Sequence, residues 1–158
     1  MLQSCQEPIN LERVREAPID DGLATWMMLR QVLLDGEVVV MQADRAMPGQ
    51  RSAVVPFLHG HLRVPTGAVR LARLTGCPIV PVFTVRLASG RFAVHIHAAI
   101  ETSIEPDTAT DVPGKHGATE PVDPSVLAVA KSIESMVAKF PTQWLVLGAA
   151  FEEDAAHA

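Results

Sequence analysis

Residues 65–83 read PTGAVRLARLTGCPIVPVF, and the hydrophobic period changes inside them. Val69, Leu71, Ala72 and Leu74 are apolar at helical spacing, while Arg70 and Arg73 project elsewhere. This predicts an amphipathic helix over 66–75, opened by Pro65-Thr66-Gly67 and capped by Gly76. From Pro78 the pattern turns continuously apolar (PIVPVFTV, 78–85), which predicts a strand buried on both faces, with its prolines at the start and at an edge or bulge. A second run of that kind, EVVVMQA, occupies 37–43. Strand, helix and strand in this order form a βαβ unit, so 37–43 and 78–85 are expected to be parallel neighbours. Val39, Met41, Leu71, Ile79, Val82 and Phe92 are the expected core.

Outward from that unit the chain remains legible. Residues 1–19 have weak periodicity and form an irregular lead-in. Asp20-Asp21 offer an N-cap to a helix over 21–34, along which Leu23, Trp26, Met27, Leu33 and Leu34 recur, and Gly36 follows as a C-cap. Residues 53–58 form a short extended segment. In 91–99 (RFAVHIHAA), Phe92, Val94 and Ile96 alternate with His95 and His97, so this segment pairs with 78–85 as a hairpin across Ser89-Gly90. Residues 102–123 are rich in proline and glycine and form a long surface loop. A helix over 125–140 carries Val126, Val129, Ile133, Met136, Val137 and Phe140 on one stripe and stops at Pro141. Gln143 to Phe151 make a last apolar segment, and 152–158 is an acidic tail. This order gives the α/β class, with a mixed, mainly parallel sheet flanked by helices. Residues 1–151 make one domain.

Composition narrows the function. The 158 residues are 48% hydrophobic and 20% charged, with a net charge of −5, as for a globular protein. No apolar run reaches the roughly 18 residues of a transmembrane helix. Cys5 and Cys77 make neither a disulfide framework nor a zinc pattern, which suits a reduced, cytoplasmic chain. Between Asp44 and Arg91 stand seven arginines and one acid, a net +6 within an acidic protein. Two readings of that window are open. One is a solvated surface with a bias toward arginine. The other is a cleft for anions, since guanidinium grips phosphate or carboxylate bidentately. Nucleic acid is a poor partner, because the chain is acidic, lacks tyrosine and has no aromatic ladder among the arginines.

Several chemistries are absent by motif. There is no G-x-S-x-G elbow and no glycine-rich phosphate loop after either strand. His59/His61 and His95/His97 are His-x-His pairs, but no third ligand or carboxylate accompanies them, so no metal site and no cofactor are assigned. The best site that the residues themselves supply is for an anion. Asp44-Arg45 follow the strand at 37–43, where open α/β sheets bind ligands. Thr66 and Gly67 open a helix whose N–H groups and dipole favour negative charge. Arg45, Arg63 and Arg70 are expected to converge there. The competing reading of Asp44 is a loop cap with Arg45 on the surface.

These same stretches carry a resemblance. Residues 36–45 (GEVVVMQADR), 55–60 (VPFLHG), 65–83 and the closing FPTQW of 140–144 resemble the late acyltransferases of lipid A biosynthesis, within the lysophospholipid/glycerol-3-phosphate acyltransferase superfamily. The likeness covers about residues 22–147. It implies an αβα fold, and transfer of an acyl group from acyl carrier protein or acyl-CoA to a hydroxyl of a lipid or glycolipid. It implies that Asp44-Arg45 handle the polar or phosphorylated acceptor, that Gly67 to Arg70 border the cleft, and that 78–82 is a structural strand. It also implies bacterial lipid metabolism at the inner face of the inner membrane, with the chain peripheral there.

The family's catalytic H-x-x-x-x-D/E block, which stands upstream of the Asp-Arg pair, has no counterpart here. No histidine precedes Asp44, and His97/Glu101 and His116/Glu120 lie downstream with a shorter spacing. No catalytic residue is therefore assigned. The chain is expected to represent the C-terminal portion of the fold, without its membrane-anchoring helix. It is expected to be inactive alone, and to be a homo-oligomer or to need an N-terminal partner. The alternative is a non-enzymatic module that binds anionic head groups or another protein.

Overall fold

The structure is a computed structural model that describes residues 16–17, 22–47, 49–103 and 122–145. The expected N-cap at Asp20-Asp21, the loop over 104–121 and the tail lie outside the described residues. The core forms around a hairpin of β1 (Ser52–Phe57) and β2 (Gly60–Pro65), in which Val55 lies opposite Leu62 and Ala53 opposite Val64. Alternation along the strands turns Val55, Phe57, Leu62 and Val64 to one face, where all four are buried. The long helix closes over that face, with Val126, Val129, Ala130, Ile133 and Val137 packed in the same cluster. Full burial of each such side chain contributes about 1.5–3 kcal/mol.

That helix (Pro124–Lys139) matches the sequence pattern at both ends. The Asp123 side chain accepts the Ser125 N–H at 2.8 Å, Pro124 occupies the first turn, and Pro141 prevents continuation beyond Phe140. The other carboxylate oxygen of Asp123 meets Arg73 Nη2 at 3.1 Å. One aspartate thus caps the long helix and ties it to its neighbour. A single 3-10 turn, Pro141–Gln143, follows.

β2 was not evident from sequence, because the β1–β2 turn, Leu58-His59, carries no glycine or asparagine. Leu58 instead takes a positive φ of 52°, and its N–H donates to the Glu134 carboxylate of the long helix. The turn is held by tertiary structure, not by turn chemistry.

β2 runs into the helix Gly67–Thr75, which buries Val69, Leu71 and Ala72 and ends at Gly76 in the left-handed region. The first helix, Gly22–Leu34, has no buried residue and rests on Gly67–Thr75. In chain order these helices are α1 (Gly22–Leu34), α2 (Gly67–Thr75) and α3 (Pro124–Lys139).

A second hairpin joins β3 (Val82–Arg86) to β4 (Phe92–Ile96), antiparallel as expected. Two expectations fail. Phe92, Val82 and Met41 are not core; Phe92 is 69% exposed. Phe83 and Val85 on β3 face inward, and the register places His95 and Ala93 opposite them. Phe92, Val94 and Ile96 are therefore turned to solvent. The alternation was legible, but β3 decides which side is inside.

The mainly parallel sheet is the second correction. Among the described residues the two ladders are both antiparallel, and 37–43 belongs to neither. Val40 there is 91% exposed. The expected partner segment is engaged elsewhere: β3 pairs with β4 on one edge and meets the Gln143 side chain on the other, while Ile79 bridges Ile100. The mixture of helices and sheets stands. Leu71 is buried, and Ile79 is packed partly buried against the cluster around Val55, Phe57 and Val126.

Candidate anion site

Ala43, the residue before Asp44, packs against the core cluster and so fixes where the Asp44-Arg45 bend emerges. Arg45 Nε lies 3.9 Å from Asp44 Oδ2, a long contact between partly exposed groups that contributes little to stability. Arg45 Nη1 also donates to the backbone oxygen of Leu145 at 3.3 Å, a hundred residues away in sequence. Leu145 follows Trp144, whose ring lies 5.5 Å from that of Phe57 in the core. The guanidinium is thus oriented from both ends of the fold. Its side chain remains 43% exposed, leaving a solvent side from which an oxyanion can approach.

The other expected site residues lie around the start of α2. Thr66 occupies the N-cap position without a side-chain cap; its N–H and Oγ1 both donate to the backbone oxygen of Arg51, at 3.1 and 3.4 Å. The Thr66 amide is therefore used within the fold. Arg63 stands on the outer face of the β1–β2 hairpin, where Nη1 donates to Ser52 Oγ at 3.4 Å. Arg70 donates its backbone N–H to Thr66 O at 3.0 Å within α2.

Gly67 has a packing role that sequence did not reveal. A Cβ at this position would lie 2.9 Å from Trp26 Cη2 and 3.5 Å from Met41 Cε. The indole of α1 covers the start of α2, and Met41, in the run leading to Asp44, touches the same spot. The structure thus places Arg63 and Thr66 along one hairpin edge and joins Arg45 to the C-terminal segment. Met41 connects the run before Asp44 to α2. Trp26 and the Leu145 carbonyl are the participants that sequence reasoning missed; neither an exposed tryptophan nor a backbone oxygen leaves a motif.

The histidines go elsewhere. His95 turns toward Phe140, at 5.8 Å between rings, and His97 toward Phe83, at 4.9 Å. Among the described residues no three His, Cys, Asp or Glu side chains gather as a metal site would require. No helix among them is long and apolar enough to cross a membrane.

The sequence model of the family described as bacterial lipid A biosynthesis acyltransferase matches residues 20–152. The chain belongs to that family. No curated protein matches it. The family match takes in α1, the Asp44-Arg45 bend, both hairpins, α2, α3 and the Phe140–Trp144 turn. In this lipid A acyltransferase relative, Arg45, at the end of the stretch 36–45, bonds to Leu145, the residue directly after the stretch 140–144.

Proposed function

We propose that this acyltransferase-family chain holds the phosphorylated or otherwise anionic head group of a lipid or glycolipid acceptor at Asp44-Arg45, with Arg63 or Arg70 contributing, and that the chain alone transfers no acyl group to that acceptor. The observation that carries the reading is the Arg45 guanidinium, oriented by Leu145 O and open on its solvent side. Family membership supplies the reaction class, acyl transfer. An acyl-thioester donor, acyl carrier protein or acyl-CoA, and a position at the inner face of the bacterial inner membrane belong to the same proposal.

The lack of transfer to an acceptor held at the Asp-Arg pair follows from proton chemistry. A hydroxyl near neutral pH needs a base in hydrogen-bond reach to attack a thioester. No histidine lies in residues 1–43, ahead of the Asp-Arg pair. Guanidinium stays charged and cannot take the proton. Purified chain mixed with acyl thioester and lipid acceptor should show no acceptor-dependent thiol release. Sustained turnover in that assay would refute the inactivity. Anionic vesicles should bind the chain through Arg45.

A second reading, a non-enzymatic interaction module, is favoured by one observation: Leu23, Met27, Val38, Val40, Phe92, Val94 and Ile96 are each well exposed on a chain of this size. We propose that a second copy of the chain, or a separate partner polypeptide, covers some of these side chains.

A further inference from the structure

We propose that Ser132 is a nucleophile, with His97 as its base, that takes an acyl group from an activated ester or thioester. His97 Nδ1 and Ser132 Oγ are 2.6 Å apart. Both partners are held by the fold. Ser132 lies in the middle of α3 between the buried Ala130 and Ile133. His97 donates its backbone N–H to Pro81 O at 3.0 Å, and its imidazole packs on the Phe83 ring. The pair opens into a depression of about 470 Å3, whose wall includes Pro81, Ile100, Ala128 and Lys131. A hydroxyl and an imidazole within hydrogen-bond reach at an open depression supply the nucleophile and the base that acyl transfer to serine requires.

With the ring proton on Nε2, the Ser132 hydroxyl donates to Nδ1. Oγ attacks the carbonyl carbon and the ester O–C bond forms while His97 takes the Oγ proton. The carbon–sulfur bond of the thioester then breaks, and the proton passes to the departing thiolate. Lys131 lines the same depression, and its ammonium would offer positive charge to the developing oxyanion. Pro81, Ile100 and Ala128 give the acyl chain an apolar wall. The product is one acyl-serine per chain, which is distinct from acceptor-dependent turnover.

The test uses p-nitrophenyl butyrate and a butyryl thioester of N-acetylcysteamine with the full chain, read by intact mass and peptide mapping. The expected result is a single acyl group on Ser132. His97→Asn, which can accept the hydroxyl hydrogen bond but not the proton, should slow labelling by about 10²-fold or more, the usual contribution of a positioned base. If that variant does not fold, the urea-unfolded wild-type chain serves instead and should label Ser132 slower by a similar factor. Arg45→Ala should label normally, and Ser132→Ala should bind vesicles normally, so this site and the head-group site fail separately. Acylation on Lys131, equal rates at Ser132 with and without His97 or the native fold, or no adduct at all would overturn the proposal.

Discussion

The side-chain amide of Gln143 forms a closed pair of hydrogen bonds with the backbone of Arg86: Arg86 N donates to Gln143 Oε1 at 2.7 Å, and Gln143 Nε2 donates to Arg86 O at 2.9 Å. A side chain here does what a neighbouring strand would do, satisfying both groups on the outer edge of β3. The 3-10 turn after α3 is thereby attached to the second hairpin. Gln143→Ala should cost about 1–2 kcal/mol, two solvent-accessible hydrogen bonds at their usual net value. Urea unfolding measures it, and faster amide exchange at Arg86 should accompany it. An unchanged midpoint would mean that water replaces the amide at no cost.

Gly67→Ala tests the contact between α1 and α2. The added methyl would sit 2.9 Å from the Trp26 indole, so the ring must move. α1 buries no residue of its own and has little to hold it against such a push. The expected result is a loss of about 1–3 kcal/mol from overpacking, with a red-shifted Trp26 emission measured in a Trp144→Phe background. Trp26→Leu in the same chain should restore much of the stability by making room.

The sequence shows what depends on local pattern. α1, α2 and α3 follow from apolar spacing and their terminal residues, and the β3–β4 hairpin follows from alternation around Ser89-Gly90. What it hides is decided at long range. β2 depends on Glu134 accepting the Leu58 N–H, and the inward face of β4 depends on Phe83 and Val85 across the ladder. Residues 37–43 show the limit of composition. Their valines fit a buried strand, but no ladder among the described residues includes them. At the candidate site, the sequence marks Asp44-Arg45 by charge and the start of α2 by its helix terminus, and the structure joins Arg45 to Leu145 O instead. The cover over Gly67 was not legible, because apolar spacing along 22–34 does not say which neighbour the Trp26 ring meets.

Substitutions at Phe57 and Phe92 should differ in whether their effect depends on protein concentration. Phe57 is 1% exposed, so Phe57→Ala should lose about 3–5 kcal/mol at any protein concentration. Phe92 lies on the open face of the second hairpin, and in a monomer Phe92→Ser should stay within about 0.5 kcal/mol. If a second copy covers that face, Phe92→Ser should shift the population toward monomer in sedimentation velocity, and the wild-type melting temperature should rise with concentration. A wild-type chain that sediments as a monomer at high concentration would remove the self-association proposal.

Arg45 gives the most direct test of the head-group reading, because its two tasks are separable. Its Nη1 holds the Leu145 carbonyl, and its solvent side is proposed to hold an anion. A charged hydrogen bond contributes about 1.5–3 kcal/mol, so Arg45→Ala should weaken binding to vesicles containing phosphatidic acid by about 10- to 150-fold. Arg45→Lys keeps the charge but loses the planar fork, and should fall between the two. The fold should change little, since the Asp44 contact is long and the guanidinium partly exposed. Binding should weaken with added salt in the wild type and much less so in Arg45→Ala. Equal affinity of the wild type and Arg45→Ala for these vesicles, with both chains folded, would place the anion elsewhere on the arginine-rich surface and leave Asp44-Arg45 as a structural bend.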